Sequence, residues 1–311
     1  MTFSGKSLLG TQGLSKEEIL SILDTADSFK EISSRPIKKV PTLRGRTIVN
    51  MFFEPSTRTR ASFEIAGKRL SADVINISGN LTSSVKGESL IDTVRNLEAM
   101  STDILILRHH CSGAAHFVAR HLNAPIINAG DGTHEHPTQA LLDLFTIREH
   151  KKKLKGLCVT IIGDITHSRV ARSNIFAMNT LGMKVTVAGP PTMIPLEIEK
   201  MGVRVCYDLK DALRDADVIM TLRIQLERQS QFLFPSLREF SNLYGLTLDK
   251  LNKAAPDAII IHPGPVNNGV EIAPEVQNGP RSLILNQVSN GVAVRMALMY
   301  LVTGSNDENP N

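Results

Sequence analysis

Four short apolar runs, RTIVNMFF, ADVINIS, DILILR and APIINAG, occupy the first half of the chain, separated by segments with helical periodicity or loop composition. The pattern starts again after Lys155 with GLCVTIIGD, MKVTVAGP, DVIMTLR and AIIIHPGP. The second set reads as continuous apolar runs ending in Gly, Pro or charge, as strands covered on both faces do. Strands that alternate with helices build parallel sheets. The expected fold is therefore α/β, with two doubly wound parallel-sheet domains joined by helices. A length of 311 residues, about twice that of the commonest single domain, agrees with this.

The chain is expected to begin with a helix, because Ser15 and Glu18 form a capping-box signature ahead of Ile19, Ile22, Leu23 and Ala26 on one helical face. The joint between the halves falls near residues 134 to 155. Pro137 suits the first turn of a helix running through Gln139, Leu141, Leu142, Leu144, Phe145 and Ile147, and the polar EHKKKLKG segment ends it as a solvated linker. The expected boundaries are a first domain at 1–136, an interdomain helix at 137–150 and a second domain at 151–288. The apolar final helix, 289–303, must dock on something and is expected to complete the first domain. The polar GSNDENPN that follows is expected to fray.

Composition removes several classes. Hydrophobic residues at 42% and charged residues at 21% exclude disordered and low-complexity chains. A net charge of +4 is too small to imply nucleic acid and fits a small acidic ligand. No run reaches the roughly 18 apolar residues of a membrane span, and the N-terminus lacks a signal-peptide pattern. Cys111, Cys158 and Cys206 are odd in number and widely spaced, two of them inside apolar runs where cysteine behaves as a small hydrophobe, which suggests a reducing compartment. A cytoplasmic protein is expected.

The most informative stretch is IVNMFFEPSTRTRASFE, where an apolar strand runs through Glu54 and Pro55 into Ser56, Thr57, Arg58, Thr59 and Arg60 and then a helix. Hydroxyls and free N–H groups at a helix N-terminus beside guanidinium groups describe an anion site, with phosphate as the natural ligand. The competing reading is that Ser56 or Thr57 merely caps the helix. Other polar residues fall at equivalent strand ends: Arg108, the GDGTHEHPTQ segment, Arg169, Arg223 and His262. Several arginines at the mouths of two sheets suit a substrate with more than one negative charge. Two domains hinged over such a site are expected to close on binding, with the segment from Gln225 to Phe234 as the moving part.

No G-x-G-x-x-G follows a strand, and no G-x-x-x-x-G-K-[ST] or G-x-S-x-G run occurs, which disfavours dinucleotide cofactors, P-loop chemistry and a serine nucleophile. His109, His110 and Cys111 are adjacent, and His134 and His136 flank Glu135. Neighbours on a strand face opposite ways, however, and C-x-x-C and H-E-x-x-H spacings are absent, so neither metal nor cofactor is expected.

Taken in order, FFEPSTRTRASFE, VKGESLIDT, ILRHH, NAGDGTHEHPTQALLDL, GDITHSR and IHPGPVNNGVEI give the chain its family likeness. From about Leu8 to Thr303 it resembles the aspartate and ornithine carbamoyltransferases, and within them the aspartate branch. The resemblance implies a carbamoyl-phosphate domain followed by an aspartate domain, and transfer of the carbamoyl group of carbamoyl phosphate to L-aspartate in pyrimidine biosynthesis. It assigns Ser56, Thr57, Arg58 and Thr59 to the phosphate. Arg108, His136 and Gln139 hold the carbamoyl group and phosphate, and the carbonyls of Gly264 and Pro265 receive the nitrogen. Arg169, Arg223 and Gln225 grip the two aspartate carboxylates. Lys86 is implied to come from a neighbouring subunit of a homotrimer with shared active sites, together with a hydroxyl from Thr82, Ser83 or Ser84.

The resemblance also allows a regulatory chain or dihydroorotase as a partner. An ornithine enzyme would carry cysteine in an H-C-L-P turn and H-P-C-Q where this chain reads His136, Pro137, Thr138, Gln139. Here the turn is His262, Pro263, Gly264, Pro265, and an arginine used by some members is replaced nearby by Asn267 and Asn268. The alternatives are another amine as acceptor, or a catalytically silent scaffold that binds phosphate metabolites.

Overall fold

A computed structural model describes residues 7–78, 88–225 and 233–307, and it divides into two compact units. One comprises residues up to Leu142 together with those from Ser289 onward, and the other comprises Asp143–Val288.

The first unit holds α1 (Lys16–Ser34), β1 (Thr47–Phe52), α2 (Thr57–Arg69), β2 (Asp73–Ser78), α3 (Leu90–Ala99), β3 (Ile104–His109), α4 (Ala114–Ala119) and β4 (Ile126–Asp131). The chain passes to the second unit within α5 (Pro137–Lys151). There follow β5 (Cys158–Ile162), α6 (Arg169–Thr180), β6 (Lys184–Ala188), β7 (Arg204–Cys206), α7 (Leu209–Leu213), β8 (Val218–Thr221), α8 (Leu237–Tyr244), α9 (Leu248–Leu251), β9 (Ile259–Ile261) and α10 (Pro274–Gln277). It returns within α11 (Ile284–Asp307).

Both sheets are wholly parallel, in the orders β2-β1-β3-β4 and β7-β6-β5-β8-β9. In the first, Val49, Met51, Leu105, Leu107 and Ile126 pack one sheet face against Val94 of α3 and Ala115 and Val118 of α4. In the second, Ile162, Ala188, Ile219 and Ile260 pack against Leu209, Ala212 and Leu213 of α7 and Phe240 and Tyr244 of α8. The two-faced α/β architecture read from the apolar runs is the one found.

Four local features differ from the sequence reading. Leu8 bridges β4 through Leu8 N–H to Ile126 O and Asn128 N–H to Leu8 O, so an edge contact precedes the capping-boxed α1. β2 reads like the other apolar runs but lies at a sheet edge, with Ile75 exposed. GVRVCYD supplies β7, a strand the apolar count omits. The final helix runs on to Asp307, through residues expected to fray, and residues 308–311 lie outside the described ones. Among the described residues no helix is long and apolar enough to cross a membrane.

Candidate active site

In an open parallel sheet whose strand order reverses, the loops leaving the two strands at the reversal open a crevice at their carboxyl ends. In the first unit that reversal lies between β1 and β3, where Phe52 is registered against Arg108 and Phe53 N–H donates to Arg108 O at 2.8 Å. The chain leaving β1 turns through Glu54, Pro55 and Ser56 into α2. Ser56 sits at the N-cap position, yet its side chain makes no capping hydrogen bond, and no acidic residue lies in the first turn. The first N–H groups of a helix have no intrahelical acceptor. Hydroxyl and helix terminus are therefore both available to an anion, and the capping-only reading of Ser56 does not hold.

A cleft of about 220 Å³ opens here, lined by Phe52, Phe53, Glu54, Pro55, Ser56, Thr57, Arg60 and Ser78. Arg58 and Thr59 lie on the same helical turn but do not line it. Arg60 Nη1 donates to Ser78 Oγ at 3.2 Å, so a second guanidinium of the S-T-R-T-R run is fixed at the cleft from the end of β2.

Glu54 and Ala129 are among the groups that hold Arg108. Its Nε lies 3.2 Å from Glu54 Oε2, in an ion pair whose side chains are only 12% and 18% exposed, and its Nη1 donates to Ala129 O at 3.0 Å. That shielding makes the pair less subject to screening than a surface pair. Glu54 is part of the motif, but its role is invisible until the register places it beside Arg108. Replacing it with Gln leaves the guanidinium less firmly oriented. Glu54→Gln is expected to lower kcat/KM by up to about a hundredfold, the scale of a small misplacement in a reacting site. Steady-state kinetics with circular dichroism as the folding control check this, and unchanged kinetics would remove Glu54 from its positioning role.

His136 ends the loop between β4 and α5, Gln139 lies in the first turn of α5, and both are buried. Buried carboxylates set this loop. Asp131 accepts from Gly113 N–H at 2.7 Å, Asn128 Nδ2 at 2.8 Å and Glu135 N–H at 3.1 Å. Glu135 accepts from Thr11 N–H and Oγ1 and from Gln12 N–H at 2.6, 2.8 and 3.2 Å. Pro137 then opens α5 directly after His136, a position where its missing N–H is harmless.

His109, against the Phe53 ring, is shifted below the usual histidine range, chiefly by burial and then by neighbouring His110, against the opposing pull of Glu54 and Asp131. Its Nδ1 accepts from Cys111 N–H at 2.9 Å. The folded protein resists protonating this ring while the unfolded chain takes up a proton near pH 6.5. Stability is thus expected to fall as pH drops from about 6.5 through the lowered folded value. His109→Asn should show a smaller decline in urea midpoint over that window; identical declines would contradict the assignment.

In the second unit the order reverses between β5 and β8, with Ile162 registered against Thr221. Gly163, at φ +127°, follows β5, and a Cβ there would stand 2.8 Å from Leu222 O, so only glycine fits. Asp164, fully buried, accepts from His167 N–H at 3.2 Å and lies 2.9 Å from His167 Nδ1. Ser168 Oγ caps α6 by accepting from Ala171 N–H at 3.1 Å. Arg169 is the first residue of that helix and is buried, while Arg223 and Gln225, both half-buried, follow β8.

The turn after β9 is built around a residue that sequence reading passed over. Glu271 Oε1 lies 3.1 Å from His262 Nε2 and accepts from Asn267 N–H at 2.7 Å. His262 Nδ1 accepts from Gly264 N–H at 2.7 Å, which assigns the ring proton to Nε2. The Gly264–Pro265 bond is cis. Lys86, Thr82, Ser83 and Ser84, and residues 226–232 of the expected moving segment, lie outside the described residues.

The sequence also matches two known domains. Residues 6–149 match the aspartate/ornithine carbamoyltransferase carbamoyl-P binding domain, and residues 155–302 match the Asp/Orn binding domain of the same family. The chain belongs to the aspartate/ornithine carbamoyltransferase family. A Syntrophus aciditrophicus relative named aspartate carbamoyltransferase catalytic subunit is 62% identical over 305 residues, covering 98% of this chain and 99% of that one. Among solved structures, Trypanosoma cruzi aspartate transcarbamoylase in complex with carbamoyl phosphate and aspartate matches with a TM-score of 0.86 at 29% identity, covering 96% and 97% of the two chains. Ornithine carbamoyltransferase from Pyrococcus furiosus gives the same TM-score at 30% identity, covering 98% and 99%. Backbone likeness within this carbamoyltransferase family therefore does not discriminate the acceptor, and side chains must.

Proposed function

We propose that this chain catalyses transfer of the carbamoyl group of carbamoyl phosphate to the α-amine of L-aspartate, giving N-carbamoyl-L-aspartate and phosphate, the committed step of de novo pyrimidine biosynthesis. The observation that carries the reading is the placement of the charged groups. An anion-binding helix terminus and Arg108 stand at the order reversal of one sheet, and Arg169 and Arg223 stand at that of the other. A second arginine suits a second carboxylate; the δ-amine of ornithine would call for an acidic partner instead. The family's 62%-identical relative carries the aspartate name.

In this reading Ser56, Thr57, Arg58 and Thr59 bind the phosphate of carbamoyl phosphate. His136 and Gln139 hold the carbamoyl group, and the carbonyls of Gly264 and Pro265 accept from its NH2. Arg169, Arg223 and Gln225 hold the aspartate carboxylates, joined by Lys86 from a neighbouring subunit of a homotrimer acting in the cytoplasm. The uncharged α-amine attacks the carbamoyl carbon. A C–N bond forms, a tetrahedral intermediate carries the oxyanion, and the C–O bond to phosphate then breaks.

Arg108, Thr59 and His136 donate to that oxyanion, and Arg58 stabilises the departing phosphate, which takes the proton released by the amine. His136 acts as a donor, so the scheme requires no side-chain base. Phosphate release from carbamoyl phosphate that depends on added L-aspartate supports the reading; release indifferent to aspartate would contradict it.

A further inference from the structure

The loops after β3 and β4 hold two imidazoles to which the proposed reaction gives no role. His116 on α4, Asp131 at the end of β4 and His134 just beyond it each offer a donor atom, and these atoms lie within 4.8 Å of one another. His134 Nδ1 is 3.0 Å from Asp131 Oδ2. The two imidazoles meet edge to face, with ring centroids 5.5 Å apart at 68°. His116 Nδ1 is shielded from solvent and has no hydrogen-bond partner among the described residues. A shielded ring nitrogen is ordinarily satisfied, and a bound ion satisfies it as well as a hydrogen bond does.

We propose that His116, Asp131 and His134 bind one divalent transition-metal ion of the zinc class. Two imidazoles and a carboxylate form a borderline donor set that suits Zn2+, Co2+ or Ni2+, whereas Mg2+ and Ca2+ take all-oxygen shells. Asp131 is already fixed by the N–H groups of Gly113 and Glu135 and by Asn128, the kind of support that orients metal-bound carboxylates. Donors around a tetrahedral ion with bonds of about 2.0–2.1 Å stand roughly 3.4 Å apart, a spacing between the 3.0 Å of the His134–Asp131 pair and the 4.8 Å that bounds the group.

His134, with a side chain 25% exposed, is the member placed to move and to admit the ion. The ion replaces the proton between His134 and Asp131, takes a ring nitrogen of His116 as its third ligand and leaves a fourth position for water. Because this loop leads straight into His136, occupancy ties the segment before that residue to α4. Sequence adjacency points only to His109, His110 and Cys111 and to the pair around Glu135. The ligand set found here needs α4 to bring His116 alongside them.

The test is zinc uptake by chelator-stripped full-length protein, followed by isothermal titration calorimetry and by the visible absorption of bound Co2+. One ion per chain is expected at pH 7.5, with weaker binding as pH falls, because metal ligands must be deprotonated. His116→Ala and His134→Ala should each weaken binding at least tenfold with circular dichroism unchanged. A His110→Ala, Cys111→Ser double variant should bind as the parent does, because the neighbouring group His109, His110 and Cys111 is the competing site. No uptake by the parent, or uptake that survives loss of His116 and His134 or depends on His110 and Cys111, overturns the proposal. None of these readouts requires catalytic activity, so the outcome stands apart from the carbamoyl-transfer reading.

Discussion

Arg108→Ala and His136→Ala are each expected to lower kcat by about a hundred- to a thousandfold, the loss of roughly 2.7–4 kcal/mol that follows removal of one oxyanion donor. The expectation rests on preorganisation. Arg108 is pinned between Glu54 and the Ala129 carbonyl, and His136 is buried at the start of α5, so neither group has to reorganise as charge develops. A donor that acts only in the transition state changes kcat and kcat/KM together and leaves the KM for aspartate near the parent value. Both variants retain the strands and helices that position the site, and thermal melts should report this. Parent-like turnover in the two variants would remove the oxyanion role from these residues.

The second large effect concerns the acceptor. Arg223→Ala is expected to raise the KM for L-aspartate by about 10- to 150-fold, since a hydrogen bond to a charged group contributes roughly 1.5–3 kcal/mol. Arg169→Gln should do the same; glutamine is chosen because Arg169 is 3% exposed and alanine would leave a cavity in its place. The KM for carbamoyl phosphate should stay within a few-fold of the parent. Inhibition by a simple dicarboxylate should weaken in parallel with aspartate affinity. A rise in the carbamoyl-phosphate KM with no change for aspartate would reverse the assignment of the two arginines.

Much of this was legible without coordinates, for physical reasons. Strands buried on both faces must be apolar throughout, so β1, β3, β5, β8 and β9 announce themselves, and the alternation with helices fixes parallel sheets. The candidate residues at strand ends could be placed for the same reason, since each apolar run marks where its loop begins. What escaped depends on tertiary placement. β7 has three residues, with Arg204 exposed at a sheet edge, so the apolar run around Cys206 is too short and too exposed to read as a strand.

The Leu8 bridge exists because β4 leaves an edge open to it. Glu54 matters because Phe52 is registered opposite Arg108, and Glu271 because the turn after β9 folds back on it. Neither carboxylate has a spacing that marks it. Ser56 shows the converse: sequence allowed a cap or a ligand, and the missing capping bond removes the cap and leaves the hydroxyl available.

The proposed function is one reaction with one acceptor. Purified protein should be incubated with carbamoyl phosphate and either L-aspartate or L-ornithine, and the ureido product measured by colour. Product with aspartate and none with ornithine is the expected result. Product with ornithine alone would keep the carbamoyltransferase chemistry and overturn the reading of the HPGP turn and the arginine pair; no product with either would contradict the proposed function outright.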